Sequence, residues 1–330
     1  MHGIFRFSSF IAIAAATLLA AAGLCAAPTS AQQQPYVEKP YNPPVGSRWL
    51  IQSDSKSVEH RAAGEERNQQ TSMRSELTID EKLADGYRIS YVSREIKVSG
   101  NTPVARVLGD VFGAMQDVAV RARTDAAGKP VEVENLDEVK AALKQVVEAT
   151  AAKFQNNPQV GVFVRDMLLR MYDVPAKEAA RLYLDDLPQL AVAQNSGLKP
   201  GEARRERDDL ASPFGGAAVK SEMVTRLESW DDKTGQVTIV RKREIDPESL
   251  KQMTLSAARQ LAKVGDQNAI TPEVLEAMKS VTYSLVAETR YLVEHGATRT
   301  MSEREITTAS AMGQTLRKEQ DKTVTVTPLK

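Results

Sequence analysis

The stretch from Val118 to Phe154 constrains the fold most, because its hydrophobic period changes once, from about 2 residues to about 3.6. Residues 118–123 alternate between two sets of side chains, one apolar and one largely basic, which is the pattern of a half-buried strand. Turn residues follow at 125–128, and Val131 and Val133 resume the alternation. Because glycine accepts the backbone conformation of a tight turn, the segment predicts a β-hairpin closed at Gly128.

An amphipathic helix is predicted immediately after this hairpin. Asn135 and Glu138 are interpreted as its N-cap and capping box. Its apolar residues recur at steps of three and four, as on one face of a helix; they are Leu136, Val139, Leu143, Val146, Val147 and Phe154. Because such an apolar stripe needs a sheet to pack against, the stretch predicts an α+β fold.

The first residues have the features of a secretory signal peptide. Arg6 precedes an alanine-rich apolar run, and Thr29–Ala31 offers the small residues that a signal peptidase recognises. We therefore expect residues 1–31 to be removed after Ala31, which makes the mature protein periplasmic or secreted and leaves it without a transmembrane span. Residues 32–45 are rich in Gln and Pro, and they are predicted to form an extended leader.

Residues 46–330 are predicted to form a single domain. Runs with a period of two give about eleven antiparallel strands, with a hairpin at Asp85-Gly86 and a bulge near Ser93–Arg94. Helical patterns are inserted after the fifth and the eighth run. The predicted architecture is a large, curved, half-barrel-like antiparallel sheet with amphipathic helices packed on one face, since such a sheet tolerates water on the other.

The chain also contains a faint internal repeat. Pro44-Val45-Gly46 and Pro200-Gly201 each precede a long strand, a hairpin with glycine at its tip, and helices. The clearest break in the sequence, at residues 195–201, contains the second of these motifs. A weak duplication is therefore one interpretation, and chance similarity is the other.

Large, flexible apolar side chains are concentrated on the helices after the hairpin. The facing strands carry sparse, medium-sized apolar residues, so this difference indicates either a ligand cavity or an imperfectly filled core. If a ligand binds between sheet and helices, the candidate lining residues are Phe154, Phe163, Met167 and Met171.

The residue inventory disfavours several kinds of chemistry. The only cysteine, Cys25, lies in the predicted signal peptide, and the two histidines beyond it, His60 and His295, stand beside predicted turns. No zinc, acyl-transfer or phosphate-loop motif is present. Lys+Arg and Asp+Glu are both 43 and aromatic residues are 5%, which suits neither the electrostatics nor the stacking of nucleic-acid binding. We therefore expect no metal, no cofactor and no nucleic-acid partner.

The charged clusters are interpreted as solvated. Neighbouring residues in a strand point to opposite faces and those in turns face water, which disfavours catalysis by the acidic pairs Glu65-Glu66, Asp185-Asp186, Asp208-Asp209 and Asp231-Asp232. Acidic residues follow the basic clusters, and this predicts cross-strand charge pairs on the wet sheet face; the clusters are Arg204-Arg205 and Arg241-Lys242-Arg243.

Two short motifs accompany this order of elements, Gly46-Ser47-Arg48-Trp49 at the start of the domain and Gly128-Lys129 in the hairpin before the helix. With them, the chain resembles the lipoprotein-carrier superfamily of the bacterial envelope, as well as uncharacterised exported proteins of similar layout. The resemblance covers residues 46–327 and implies a curved sheet, lined by helices, that holds an acyl chain or a lipoprotein. No motif aligns the cavity residues of that family with this chain.

These observations predict an exported, non-catalytic protein that binds or carries a hydrophobic ligand such as an acyl chain, a lipid or a lipoprotein. An envelope scaffold that binds another protein through its sheet is the alternative, and a hydrolase that uses scattered carboxylates is the third class. A carrier needs an apolar surface beneath its helices, and an enzyme needs convergent polar groups in a pocket. A scaffold needs an exposed edge or patch.

Overall fold

A computed structural model of the chain contains one eleven-stranded antiparallel sheet with a few inserted helices. The structure describes residues 38, 40–61, 64–101, 113, 116–153, 165, 174–184, 187–192, 194, 196–207, 209, 218–231, 233–264, 281–294, 297–311 and 314–330. The predicted signal peptide lies outside these ranges. The predicted fold class is confirmed.

The elements follow the predicted order. The helices with described bounds are α1 (Leu136–Lys153), α2 (Ala176–Tyr183) and α3 (Pro247–Val264), with a short 3-10 helix at Leu187–Ala191. The strands are β1 (Arg48–His60), β2 (Glu66–Lys82), β3 (Gly86–Gly100), β4 (Ala119–Asp125), β5 (Pro130–Val133), β6 (Ala203–Arg207), β7 (Ser221–Trp230), β8 (Gln236–Ile245), β9 (Thr282–Glu294), β10 (Ala297–Ala311) and β11 (Gln314–Leu329).

The first and last strands are neighbours in the middle of the sheet, whose order is β5-β4-β3-β2-β1-β11-β10-β9-β8-β7-β6. The chain runs from the centre to the β5 edge, crosses to the β6 edge through α1, α2 and the 3-10 helix, and returns to the centre. Arg48 pairs with Leu329 at what we call the lower end of the sheet, and His60 pairs with Arg317 towards the upper end.

The sheet is strongly curved at its lower end. The Glu38 carboxylate accepts hydrogen bonds from the backbone N–H groups of Ser196 (2.6 Å) and Gly197 (2.9 Å), which lead into β6. Three residues later, the Tyr41 ring lies against Gly128 in the β4–β5 turn. Three residues span about 10 Å, whereas a flat sheet of eleven strands is roughly 50 Å wide. The two edges therefore approach each other at this end.

The lower half of the inner, concave face is a closed apolar core. The 3-10 helix crosses this region, and the cavity beneath it, lined by Leu190 and Met301 among others, measures about 10 Å³, no more than one water molecule needs. The core residues from both halves of the sheet form one cluster, which includes Ile51, Leu77, Ile79, Ile89, Leu227, Ile239, Tyr291, Val293, Met301 and Val324.

Gln189 fastens the 3-10 helix to the sheet. Its side-chain oxygen accepts hydrogen bonds from Arg241 (3.3 Å) and from the Tyr291 hydroxyl, and its backbone oxygen accepts one from Thr298 (3.0 Å). These donors lie on β8, β9 and β10. The crossing segment is therefore held over the strands of the second half of the sheet.

A second, smaller core lies at the upper end, where α3 packs on β8, β9 and the lead-in to β7. Asp246 caps α3 by accepting a hydrogen bond from the Ser249 N–H at 2.7 Å, as the sequence Asp246-Pro247 predicts. The buried members of this cluster are Val219, Ile245, Leu250, Leu285 and Ala287.

The predicted bulge in β3 is confirmed. Arg74 pairs with Glu95, but the next residue, Ser75, pairs with Ser93, so that Arg94 is the extra residue. The bulge explains why the apolar parity of β3 changes between Ile89 and Ile96.

Asn135 occupies the predicted N-cap position, since its carbonyl accepts the Val139 N–H at 3.2 Å, but its side chain binds β4. Its buried side chain accepts a hydrogen bond from the Arg121 N–H and donates one to the Ala119 carbonyl, both at 2.8 Å. It also donates to Glu138 at 3.1 Å. The side-chain amide of Asn135 therefore continues the hydrogen bonding to β4 beyond the end of β5. As a result, α1 starts against the sheet.

Leu143 tests the predicted packing face of α1. Val139, Leu143 and Val147 are buried, whereas Gln145 is exposed. Leu143→Ala should therefore lower the free energy of unfolding by about 2 kcal/mol, and Gln145→Ala should change it by less than about 0.5 kcal/mol. Urea unfolding of both variants measures the difference, and equal midpoints would mean that the other face of α1 is packed.

The faint sequence repeat corresponds to a turn that occurs twice. Gly46 and Gly201 both have φ of +83°, a conformation that favours glycine. Their N–H groups donate to the carbonyls of Ile79 on β2 (2.8 Å) and Leu227 on β7 (2.9 Å). Both turns thus fix the start of a strand in the same way, and the duplication itself stays a prediction.

Candidate functional site

Above the apolar core, the inner face of the sheet becomes polar. Ser55 lies four residues after the buried Ile51 on β1 and therefore shares its face. The strand registers place Ser55 in a row of side chains that crosses eight strands from β2 to β6. This first polar row consists of Thr71, Ser55, Lys322, Glu303, Thr289, Arg241, Thr225 and Arg204.

A second polar row lies directly above the first. It consists of Gln69, Ser57, Gln320, Glu305, Ala287, Arg243, Met223 and Glu206. One step higher, Lys318 pairs with Glu59 on one side and with Thr307 on the other. We call the two rows together with Glu59, Lys318 and Thr307 the polar belt.

Hydrogen bonds connect neighbours within the first row. Thr289 donates to Glu303 at 3.0 Å, and the Arg241 Nε donates to Thr225 at 3.3 Å. A more distant ion pair joins Arg241 to Glu206 in the second row at 3.9 Å. Because Arg241 also binds Gln189, the belt meets the crossing segment at its lower border.

The centre of the belt buries charges of both signs. Lys318 and Glu59 are 8% and 6% exposed and lie opposite each other on β11 and β1. Glu305 is the diagonal neighbour of Lys318 on β10, a position from which long side chains interact. On the other side of Glu305, the small side chain of Ala287 separates it from Arg243.

Burial perturbs the protonation of this cluster. It raises the pKa of Glu305, while the positive charges of Lys318 and Arg243 oppose the rise. Burial also lowers the pKa of Lys318, and the carboxylates of Glu305 and Glu59 oppose that change. Groups whose pKa is shifted by burial and by specific charge partners are typical of functional sites, although structural ion-pair networks also show such shifts.

One part of the belt is accessible from solvent. Ser55, Ser57 and Lys322 are half-buried, and so are the apolar side chains beside them on β2 and β3, Met73, Ile96 and Val98. A polar surface and an apolar surface therefore adjoin on the inner face. This arrangement fits a molecule with a polar head and an apolar tail.

The predicted lining residues Phe154, Phe163, Met167 and Met171 all lie outside the described residues. The described members of the acidic pairs contact basic side chains or turn N–H groups, as expected of solvated residues; these contacts are Glu65 with Arg67, Glu66 with His60, Asp209 with Arg207, and Asp231 with the N–H of Lys233. Asp185, Asp186, Asp208 and Asp232 also lie outside the described residues.

The basic cluster on β8 requires a correction. Lys242 does form the predicted cross-strand pair on the wet face, with Glu288 at 3.1 Å. Arg241 and Arg243 do not, because alternate residues of a strand face opposite ways and Arg241 binds the 3-10 helix on the inner face. The prediction that the whole cluster lies on the wet face is therefore wrong.

Sequence reasoning missed the belt as a whole. On β1, an alternating polar series on the inner parity, Ser53-Ser55-Ser57-Glu59, was the available signal. It was hidden because the opposite parity, with Gln52, Asp54 and Lys56, is equally polar.

Two further kinds of feature are absent from the described residues. No helix among them combines the length and apolar composition needed to cross a membrane. No group of three or more His, Cys, Asp or Glu side chains in the described ranges is placed to hold a metal ion.

No protein-family model and no curated protein matches the chain. Among solved structures, lipovitellin, studied for its lipid–protein interactions, is similar over 86% of this chain and 25% of that chain, with 10% identity and a TM-score of 0.44. The present chain thus spans about a quarter of the length of lipovitellin. An outer membrane channel from Pseudomonas putida F1 matches with 8% identity and a TM-score of 0.18, over 87% and 97% of the two chains.

The translocator domain of the autotransporter NalP from Neisseria meningitidis matches with 7% identity and a TM-score of 0.17, over 86% and 90% of the two chains. The likeness to lipovitellin concerns the large open antiparallel sheet alone.

Proposed function

We propose that this chain is an exported, non-catalytic protein that holds an amphipathic ligand, with an acyl chain, against the upper inner face of its sheet. The observation that carries the proposal is the polar belt beside the half-buried Met73, Ile96 and Val98. The resemblance to the lipoprotein-carrier superfamily, as implied by the sequence motifs, is part of the same proposal.

The position of the charges supports a binding role. Burying an ion costs several kcal/mol unless good geometry and hydrogen bonds compensate. Well-packed apolar residues at the same positions often stabilise a fold equally well. The lower core of this protein achieves its packing with apolar residues, and its cavity is about 10 Å³. A ligand would therefore lie above that core, where polar and half-buried apolar residues adjoin.

The two edges of the sheet argue against the scaffold alternative. β5 has four residues and begins with Pro130, while β6 has five residues, Ala203–Arg207, four of them charged. Short, charged or proline-containing edges oppose the addition of a foreign strand. The hydrolase alternative lacks support from the acidic pairs, whose described members are engaged in ion pairs and turns.

Export is part of the proposal and rests on the sequence of residues 1–31. An intact mass of the protein from its native host tests it, with Gln32 expected as the first residue. A different first residue, or lipid attached to Cys25, would contradict the proposed processing.

Ligand binding can be tested with a fluorescent label on the inner face. Because the only cysteine, Cys25, lies in the segment proposed to be removed, Val98→Cys gives the mature protein a single site for an environment-sensitive dye. Fatty acids from octanoate to stearate are expected to shift the emission of this label to the blue. The matched control is Lys97→Cys, whose position is exposed on the opposite face of the same strand.

A label at Val98 that is silent with every fatty acid, combined with native mass spectra free of bound lipid, would overturn the carrier proposal. Equal responses at both positions would indicate non-specific adsorption and would overturn it as well.

A further inference from the structure

We infer that the polar belt selects a zwitterionic head group, in which an anionic group and an ammonium group lie side by side. The inference rests on the proposed function and adds the chemical class of the ligand. It follows from the order of the charges along the belt.

Charges alternate in sign across the central strands of both rows; further out in the first row, the exposed Arg204 on β6 carries the same sign as Arg241. In the first row, Lys322 on β11 is followed by Glu303 on β10 and Arg241 on β8. Around the second row, Glu59 on β1 is followed by Lys318 on β11, Glu305 on β10 and Arg243 on β8. No two like charges are direct cross-strand partners in either series.

Lys322 and Glu303 are the charges of the belt best placed to meet a ligand. They are direct cross-strand partners, both are half-buried, and Ser55, on the other side of Lys322, is half-buried as well. Directly opposed residues have Cβ atoms about 5 Å apart, so one small head group can meet both side chains. The accessible apolar residues, including Val98, lie on β2 and β3, on the side of Ser55 away from Lys322.

Charge complementarity then distinguishes the classes of head group. A purely anionic head that meets Lys322 also approaches Glu303, and a purely cationic head that meets Glu303 also approaches Lys322. Like charges brought together at a partly dehydrated surface oppose binding. A head group with both charges offers each side chain an opposite charge, whereas a neutral head offers none.

The test compares amphiphiles that share one apolar chain and differ only in the head group. Dodecylphosphocholine, dodecyl sulfate, dodecyltrimethylammonium and dodecyl maltoside are titrated into the full mature protein below their micelle concentrations, with isothermal calorimetry as the readout. The zwitterionic compound is expected to bind about tenfold more tightly than each of the other three.

Two variants should shift the preference between cationic and anionic head groups in opposite directions. Lys322→Met is expected to favour dodecyltrimethylammonium over dodecyl sulfate, because Glu303 is left as the dominant charge. Glu303→Gln is expected to favour dodecyl sulfate. The matched controls are Lys242→Met and Glu288→Gln, which form a cross-strand ion pair on the outer face and should leave the selectivity unchanged.

The possible outcomes separate this inference from the proposed function. Equal affinity for all four compounds, or a preference for a singly charged one, would overturn the zwitterion inference while the carrier proposal stands. Binding of none of the four would overturn both.

Discussion

Replacing Lys318 by methionine is expected to lower the free energy of unfolding by about 3 kcal/mol or more, because removal of the buried ammonium group leaves the carboxylates of Glu305 and Glu59 with less compensating charge. Lys318 is 8% exposed and lies between Glu59 and Glu305. Methionine fills a similar volume, so the loss reports on charge rather than on a cavity. Urea unfolding at neutral pH measures the change.

The loss should depend on pH in a definite direction. Burial already raises the pKa of Glu305, and Lys318 opposes that rise. Without Lys318 the pKa of Glu305 rises further, so the folded state binds the proton of Glu305 more tightly than the unfolded state does. This proton binding stabilises the fold at low pH, and the stabilisation is lost as the pH rises through the raised pKa. The deficit of Lys318→Met should therefore be smaller near about pH 5 than near about pH 7.

Two variants serve as controls for Lys318→Met. Lys242→Met removes a lysine from a pair on the outer face, where Lys242 is 56% exposed, and should cost less than about 1 kcal/mol. Adding Glu305→Gln to Lys318→Met should recover part of the lost stability. A deficit that stays the same across the pH range would show that the charge of Glu305 is not the cause of the loss.

Gly86→Ala is expected to be the most damaging small substitution, with a loss of about 3 kcal/mol. A Cβ atom at Gly86 would lie 1.9 Å from the backbone oxygen of Thr124 on β4. Neither backbone can move without separating β3 from β4, which pair from Gly86–Asp125 to Val92–Ala119. Chemical denaturation measures the loss.

Gly64→Ala is the matched control for Gly86→Ala. Gly64 has φ of +74° in a turn and nothing lies within 4 Å of an added Cβ, so the substitution should cost only the conformational strain of about 1 kcal/mol. If both variants unfold at the same denaturant concentration, close contact between β3 and β4 is not what requires Gly86.

Gly86 also shows what local sequence reasoning can and cannot provide. Asp85-Gly86 marks a hairpin, and the hairpin is present between β2 and β3. The stricter reason for the glycine is the approach of Thr124, which lies 38 positions along the chain. A local pattern identifies the turn, but only the pairing of β3 with β4 explains why no other residue fits.

The strands and the apolar stripe of α1 were predictable because the spacing of their apolar residues can be seen within one short stretch of sequence. Even the β3 bulge was visible, since it shifts the apolar parity between Ile89 and Ile96. The belt was not visible in this way. Its first row takes one residue from each of eight strands, and their adjacency depends on strand registers that no single stretch of sequence specifies.

The pairing of β1 with β11 likewise could not be predicted from local sequence. It joins Arg48 to Leu329 and His60 to Arg317, and any two polar strands of similar length would have matched equally well. In contrast, the pairing of β2 with β3 followed directly from a short turn.

The ladder between β1 and β11 also determines when folding can finish. During synthesis β1 emerges early, yet its central partner is the last strand of the sheet to be made. Until then β1 and β10, with 13 and 15 residues, each present a long unpaired edge, and such edges promote association between chains. We therefore expect completion of the sheet to be a late step of folding that depends on contacts between distant parts of the chain, which form slowly.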